Sequence, residues 1–366
     1  LMIPFQFGAA WWSIGWLIEG VVLTLYGKMN RFKGMERAGW GIMMLCLVVF
    51  FCLNVPTQWV ADYQWTNFRD VYFPLKYVFI TAGMLIVAVL YAVQHNRKDA
   101  LQRSEPYEIT LALWFKYAAL LNFWIYGLYE SRRLYHLVVP EDFAHRTFYN
   151  LLLSAVWTLV LAYVLPKVKV LYDTIVKYFV RFLFGVGYVI CIVITVGLPS
   201  LQNNLAQNTA ADYIALAVLI IFNIFVWFSG RDLLIAALNR QFKSMEIYPV
   251  FMAIYLLGII TAFLGVQLQL SDAGLIFSLI YLLLAVLFIM YGFRKRYVYI
   301  RRFGLGLTLL ATGKLLLYDL GLLNTGSKII AYASFGICLL GISYLYQKVS
   351  NRMEEGQTTA DNGTKG

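Results

Sequence analysis

The sequence predicts an all-α fold, a polytopic transmembrane helix bundle of about eleven spans, and three observations support this prediction. The 366 residues are 61% hydrophobic and only 13% charged, a composition outside the range of soluble domains. The mean hydropathy of +0.69 is correspondingly high. Apolar segments of about 20 residues, the length that crosses a hydrocarbon core as a helix, recur along the whole chain. The composition therefore indicates a multi-pass membrane protein.

The eleven spans are placed where apolar runs are interrupted by charged or turn-forming residues. They cover roughly 3–26, 38–55, 76–94, 108–128, 147–165, 176–197, 211–229, 248–267, 272–292, 303–320 and 327–346. We expect these segments to form a single transmembrane helical domain over residues 1–346. The polar remainder, residues 347–366, is expected to be a disordered cytoplasmic tail.

Lysine and arginine residues are distributed unequally between alternate connections. The connections 27–37, 95–107, 166–181, 230–247 and 293–302 and the tail hold 22 of the 30 basic residues, and the other connections hold six. Cytoplasmic loops carry the basic excess, so we expect the N-terminus outside and the C-terminus in the cytoplasm of a bacterial inner membrane. The net charge of +11 is thus a topology signal and predicts no nucleic-acid partner, because the basic residues do not cluster on a soluble domain.

One internal repeat relates the two ends of the chain at an offset of 265 residues. Residues 1–55 resemble 266–320, and the match is carried by a Tyr-Gly pair and an Arg-x-Gly-x-Gly-x3-Leu motif. The corresponding residues are Tyr26, Gly27, Arg37, Gly39, Gly41 and Leu45 in the first copy and Tyr291, Gly292, Arg302, Gly304, Gly306 and Leu310 in the second. The repeat predicts two similar helical hairpins that run the same way through the membrane, which makes it a parallel repeat. The alternative is that two helical hairpins with basic turns are alike by composition alone.

Two stretches resemble a known family. The opening "AAWWSIGWLIEGVVLTLYG" places Trp16 and Glu19 in a Trp-x2-Glu-Gly first span, and "RRFGLGLTLLATGKLLLYDLG" places Lys314 before Tyr318-Asp319-Leu320. Together with the closing run 341–346, they are similar to the bacterial predicted membrane proteins of domain of unknown function 2339. Longer relatives begin with a charged helical segment and carry extra spans, so the chain is expected to be a short member or a C-terminal part. The resemblance implies a multi-pass membrane fold and no particular catalytic residue, substrate or cofactor.

A small set of charged residues lies within or at the end of the spans and forms the predicted buried charge constellation: Glu19, Lys116, Lys314 and Asp319. An ionised group in hydrocarbon is costly, so we expect Glu19 to pair with Lys116 or Lys314 as a packing clamp between helices. Three alternatives stay open. Glu19 could be a proton-linked or ion-linked carboxylate in a transport pathway, or a neutral acid hydrogen-bonded to Ser13 or an indole. Lys314 could instead extend its ammonium to the membrane interface rather than pair with Glu19.

The connection 129–146 holds the most polar outer segment. Its charged and imidazole side chains form the predicted outer-loop polar cluster: Glu130, Arg132, Arg133, His136, Glu141, Asp142 and His145. We expect a solvated loop, since the spacing of the histidines and acids matches no metal or catalytic motif. Metal binding, acid–base catalysis, or recognition of an anionic headgroup or sugar by Arg132 and Arg133 are the alternatives. On the basic side, Lys169, Asp173 and Lys177 share one helical face and predict an interfacial helix over 166–181.

Three classes of function are compatible with these features. The sequence favours a non-enzymatic, envelope-associated membrane component whose partners are the lipid bilayer and other envelope membrane proteins. A transporter or carrier of a small or lipid-linked substrate, using Glu19 with Lys116 or Lys314, is the second class. A membrane-embedded transferase with an outer-face site is the third. No nucleotide, zinc or nucleophile motif occurs, and we expect no cofactor, metal or catalytic residue.

Overall fold

A computed structural model gives the fold of the chain. It describes residues 12–56, 72–95, 106–202, 207–241, 247–270 and 274–315, with further single positions and short runs between 317 and 347. These described residues form ten α-helices between Trp12 and Lys314 and a further short apolar helix, Lys328–Gly341, and they contain no β-strand. The prediction of an all-α fold is therefore confirmed.

The chain divides into two compact units, residues 1–190 and 191–366. The helices up to the division are α1 (Trp12–Asn30), α2 (Lys33–Val49), α3 (Tyr72–His95), α4 (Pro106–Val138), α5 (Arg146–Val164) and α6 (Thr174–Gly197), which crosses the division. The later helices are α7 (Ala210–Gln241), α8 (Tyr248–Ala262), α9 (Gly274–Lys295) and α10 (Val298–Lys314). The single domain over 1–346 stays a prediction, and the tail beyond Gln347 lies outside the described residues.

Eight helical segments in the described part of the chain are long and apolar enough to cross a membrane. They are Lys33–Asn54, Tyr72–Val93, Thr110–Val138, Arg146–Lys167, Thr174–Gly197, Ala210–Asp232, Tyr248–Gln267 and Ile276–Lys295. Each coincides with a predicted span from 38–55 to 272–292. The other three predicted spans overlap α1, α10 and the shorter apolar helix Lys328–Gly341. The count of eleven spans stays a prediction.

Helices α1 and α2 form a tight hairpin. Arg31 adopts a left-handed φ of 62°, and the Phe32 N–H donates to the Gly27 carbonyl at 2.8 Å, which caps the C-terminus of α1. The helices then cross at Gly39, where an added Cβ would lie 2.6 Å from the backbone nitrogen of Thr24. Only a glycine fits at this crossing without displacing backbone, so the sequence allows a close helix contact here.

Helices α9 and α10 form a hairpin with the same local geometry at the 265-residue offset. Arg296 has a φ of 59°, and the Tyr297 N–H donates to the Gly292 carbonyl at 2.9 Å. An added Cβ on Gly304 would lie 2.7 Å from Ile289, the counterpart of Thr24. Because the turn, cap and close contact recur residue by residue, the predicted repeat is present in the local structure.

The ends of the two hairpins also correspond. The Phe50–Asn54 segment after α2 is a π-helical turn, and Leu315 and Leu317 after α10 share this backbone form. Phe50 and Leu315 are both fully buried. Phe50 stacks on Phe73 and packs against Tyr77, so the turn joins the first hairpin to α3. The wider π turn thus directs a large side chain into the core.

Candidate functional site

Lys116 on α4 is paired with Asp173, a carboxylate that the sequence analysis did not predict as its partner. Its side chain is only 7% exposed and forms an ion pair with Asp173. The Tyr117 hydroxyl donates to the same carboxylate oxygen at 2.9 Å. Because a buried ammonium is stable only when it is paired and hydrogen-bonded, this arrangement neutralises Lys116 within the protein.

Asp173 also begins the next helix. The Val176 N–H donates to its Oδ1 at 2.9 Å, the standard interaction of an N-cap aspartate, and α6 starts at Thr174. The prediction of an interfacial helix over 166–181 is therefore wrong. A 3₁₀ turn over Leu165–Lys167 and a short turn precede Asp173, and the span begins directly after it. An aspartate followed three residues later by an apolar run is the cap signal that could have identified it.

Ionisation of Asp173 is favoured by its surroundings. Burial of the carboxyl raises its pKa, but hydrogen bonds from Lys116, from the Val176 N–H and from Tyr117 act in the opposite direction. The pKa of Asp173 consequently lies below its ordinary value. Asp173 is thus a carboxylate at neutral pH, as its partnership with a lysine requires.

A second polar network, which sequence reasoning missed, joins the first hairpin to α3. Lys28 lies 3.2 Å from the Glu36 carboxylate, which accepts a hydrogen bond from the Tyr91 hydroxyl. The Trp40 indole N–H donates to that hydroxyl at 2.9 Å. The Glu36 side chain is 12% exposed, so the network is largely shielded from solvent. Nothing in the spacing of Lys28 and Glu36 along the sequence indicates Tyr91 as their partner.

The remaining members of the predicted buried charge constellation are found in different settings. Glu19 is half-buried on α1, one residue before the Gly20 contact with Met43. The Lys314 ammonium donates to the Gly274 carbonyl at 3.0 Å and to the Ser278 hydroxyl at 3.2 Å. Asp319 lies outside the described residues. A pair between Glu19 and a lysine stays a prediction.

The predicted outer-loop polar cluster is built on more helix than expected, because α4 continues to Val138. The loop proper is confined to 139–145. Arg133 pairs with Glu130 at 2.9 Å one turn away, and His136 Nε2 lies 3.5 Å from the Asn150 amide nitrogen. Arg132, Glu141 and Asp142 are exposed, and His145 adopts a left-handed φ of 62° just before α5.

This cluster does not assemble a metal site in the described part of the chain, where no three His, Cys, Asp or Glu side chains converge. The pairs that form join a cation to a single carboxylate, as Arg133 does with Glu130. His136 lies beside the Asn150 amide and interacts electrostatically with Arg146, Arg132 and Glu141.

Buried polar side chains in the second unit connect helices in the same manner. Gln267 is fully buried and accepts from the Ser200 N–H and hydroxyl at 2.9 and 2.7 Å. Its amide nitrogen donates to the carbonyls of Thr195 and Leu198. Asn223 donates to the Thr195 hydroxyl at 3.1 Å. All four hydrogen-bonding positions of the Gln267 amide are satisfied by the protein.

The comparisons with known proteins agree with these features. A model of the family described as predicted membrane protein (DUF2339) matches residues 1–349. No curated protein and no solved structure matches the chain. The match spans the first hairpin, the Lys116 and Asp173 pair and the last hairpin, and it confirms the resemblance carried by the two end stretches. The chain therefore belongs to the DUF2339 family of predicted membrane proteins and is a multi-pass membrane protein.

Proposed function

We propose that the protein is a non-enzymatic, structural component of a bacterial cytoplasmic membrane. The observation that carries the proposal is the ion pair of Lys116 with Asp173. A lysine buried in a span is the residue that a transport pathway would use, yet this one is neutralised by a carboxylate that also caps the following helix. Its contacts are those of a clamp between α4 and the start of α6.

Other polar side chains in the spans support the same function. Asn122 donates to Thr81 at 3.0 Å between α4 and α3, and Trp124 donates to Thr158 at 3.1 Å between α4 and α5. Interhelical hydrogen bonds of this kind contribute about 0.6 kcal/mol each in membrane proteins. Each of them fixes one helix pair, so α4 is positioned by polar contacts to both neighbours.

The orientation in the membrane and the partners belong to the proposal. The excess of Lys and Arg on alternate connections supports an N-terminus outside and a C-terminus in the cytoplasm. Lipid covers the exposed apolar side chains of the spans, and other membrane proteins of the cell envelope are the proposed protein partners. A C-terminal tag that is cleaved by protease added outside intact cells would overturn this orientation.

The test removes the two charges singly and together. Lys116→Met leaves the Asp173 carboxylate without its cation, and we expect the free energy of unfolding to fall by about 1–3 kcal/mol. This is less than the full cost of breaking a buried pair, because the Asp173 side chain is 31% exposed. Adding Asp173→Asn removes the stranded charge and keeps the cap, so the double variant recovers most of the loss. Thermal unfolding of the purified chain and its cellular abundance measure both effects.

The control is the solvent-exposed pair of Arg231 with Asp232, whose side chains are 46% and 68% exposed. Neutralising this pair should change neither the thermal unfolding of the purified chain nor its cellular abundance. The functional arm complements a deletion strain and profiles its lipids and envelope glycans. A double variant that is abundant and stable yet fails to complement would overturn the structural function and favour a carrier that uses Lys116.

A further inference from the structure

The end of α4 and the start of α5 form a polar surface at the edge of the bilayer. Helix α4 has 33 residues and is about 50 Å long, whereas the hydrocarbon core is about 30 Å thick. The last turns of α4 therefore lie beyond the hydrocarbon. Arg146 is the first residue of α5 and precedes an apolar span, which places it at the depth of the lipid headgroups.

Two helix-to-helix contacts position this surface. The Tyr135 hydroxyl donates to the Arg146 carbonyl at 2.9 Å, and the His136 ring lies 3.5 Å from the Asn150 amide. Arg146 and Asn150 are four residues apart and therefore lie on one face of α5. Side chains on two neighbouring helices thus converge on one region, with Arg146 and Asn150 facing it together.

Arg146 and Asn150 each present a buried polar atom to this region. Nε of Arg146 and Oδ1 of Asn150 are buried, and neither has a hydrogen-bond partner among the described residues. Leaving such groups unpaired destabilises the protein, and more so for the charged group than for the neutral one. Arg146 lies 3.9 Å from the carboxylate of Glu141, whose side chain is 89% exposed and is therefore easily displaced.

These open positions define the chemistry of a ligand. The guanidinium requires an anionic acceptor, and phosphate oxygens match its planar set of donors. The Asn150 oxygen requires a donor, which a hydroxyl group supplies. Arg132 also interacts electrostatically with His136, so a second cation acts on the same region. Arg133, by contrast, is already neutralised by Glu130.

We propose that Arg146 and Asn150 bind a ligand that carries both a phosphate and a hydroxyl group. Arg146 binds the phosphate oxygens, and Asn150 accepts a hydrogen bond from the hydroxyl. The headgroup of phosphatidylglycerol and inorganic phosphate at neutral pH both have this chemistry. The site makes no use of Lys116 or Asp173, so it does not rest on the structural function proposed above.

The test measures lipid and phosphate binding by the full chain in detergent. Native mass spectrometry and thermal unfolding compare phosphatidylglycerol with phosphatidylcholine, whose headgroup has no hydroxyl, and with added inorganic phosphate. We expect phosphatidylglycerol or phosphate to bind the unmodified chain and raise its unfolding temperature. Arg146→Gln should weaken that binding about tenfold or more, the fold-change that corresponds to a lost charged hydrogen bond. Stabilisation by phosphatidylglycerol alone assigns the site to lipid, and stabilisation by phosphate alone assigns it to a soluble ligand.

Three further variants make the result specific. Arg133→Gln is the matched control and should bind as the unmodified chain does, because Arg133 is held by Glu130. Asn150→Leu should keep binding through Arg146 and lose the preference for phosphatidylglycerol over phosphatidylmethanol, an anionic phosphodiester whose headgroup has no hydroxyl. Where Arg146→Gln reduces the yield of folded protein, Arg146→Lys keeps the charge without Nε and should still bind more weakly. Equal binding by the Arg146 and Arg133 variants would overturn the proposal.

Discussion

The first hairpin, α1 with α2, and the last hairpin, α9 with α10, share their backbone but not their charges. Corresponding positions hold the same left-handed turn, the same cap and the same close contact at a glycine. Yet Lys28 and Glu36 form an ion pair at 3.2 Å, whereas their counterparts Phe293 and Arg301 form a cation–π contact at 5.0 Å. The two hairpins therefore share their backbone conformation, and a different side-chain interaction occupies the same pair of positions in each.

The charges inside the spans differ in the same way. Glu19 of the first hairpin corresponds to Leu284, which is buried, and Lys314 of the last corresponds to Val49. Helices α9 and α10 contain no aspartate or glutamate at all. The first hairpin thus depends on carboxylates that the last hairpin lacks, and this difference leads to tests that distinguish backbone effects from charge effects.

The largest effect is expected at the glycine crossing. Gly39→Ala places a methyl group 2.6 Å from the Thr24 backbone nitrogen, so the helices must separate at a cost of about 1–3 kcal/mol. Gly304→Ala meets mainly the Ile289 side chain at 2.7 Å, which can rotate, and should cost less. Thermal unfolding of the detergent-solubilised chain measures both changes in stability.

Gly41 and Gly306 provide matched controls, because they are also repeat counterparts and an added Cβ at either meets nothing within 4 Å. Alanine at these positions should be neutral or should stabilise the helix by up to about 1 kcal/mol. A Gly39→Ala variant as stable as Gly41→Ala would show that the close contact does not hold the first hairpin together.

The second test transfers the pair of the last hairpin into the first. Glu36→Arg removes the acceptor of Tyr91 and places a cation beside Lys28, so we expect a loss of about 1–3 kcal/mol. Adding Lys28→Phe removes the repulsion and allows the guanidinium to lie over an aromatic ring, as Arg301 does over Phe293. The double variant should therefore be more stable than Glu36→Arg, and a double-mutant cycle measures the coupling between the two positions.

If Glu36→Arg alone is more stable than the double variant, position 28 does not tolerate an aromatic ring. The reverse transfer serves as the control. Phe293→Lys with Arg301→Glu introduces the ion pair into the last hairpin, where the residue at the 265-residue offset from Tyr91 is Gly356, which has no hydroxyl to donate. We expect the stability gained by that double variant to be smaller than the stability lost when the Lys28 and Glu36 pair is removed from the first hairpin.

Acidification should act on the first unit through Asp173. Its pKa in the folded protein lies below the ordinary value, so ionisation stabilises the folded state. This contribution is complete above the ordinary pKa of about 4 and is lost as the pH falls through the lowered value. The unfolding temperatures of the unmodified chain and Asp173→Asn should therefore differ at neutral pH and converge below about pH 4. Asp232→Asn, which removes a carboxylate from an exposed pair, is the control at neutral pH and should leave the unfolding temperature unchanged.

Sequence reasoning found the features that depend on local pattern and missed those that depend on packing. Apolar segment length identified the helices, and the Gly and Arg spacing identified the repeat, because both follow from helix geometry along one chain. The partner of Lys116 was missed because 57 residues separate it from Asp173, and no local pattern relates them. The Glu36 and Tyr91 contact was missed for the same reason, with 55 residues between them. The sequence also predicts too early an end for α4, because the polar residues after 128 indicate the end of a span, whereas the helix continues to Val138.

The smallest effect is expected at the two turns, where it tests the repeat most directly. Arg31 and Arg296 both adopt the left-handed conformation that glycine accommodates without strain, at φ of 62° and 59°. Replacing either with glycine should relieve about 1 kcal/mol of backbone strain, part of which is offset by the greater entropy of the unfolded chain. Alanine keeps the strain and removes the charge, so Arg31→Ala and Arg296→Ala separate the two contributions. Since the cap hydrogen bonds at the two turns differ by only 0.1 Å, the gain from alanine to glycine should be equal at both positions. Unequal gains in unfolding temperature would mean that the surroundings of each turn, and not the shared backbone, determine its stability.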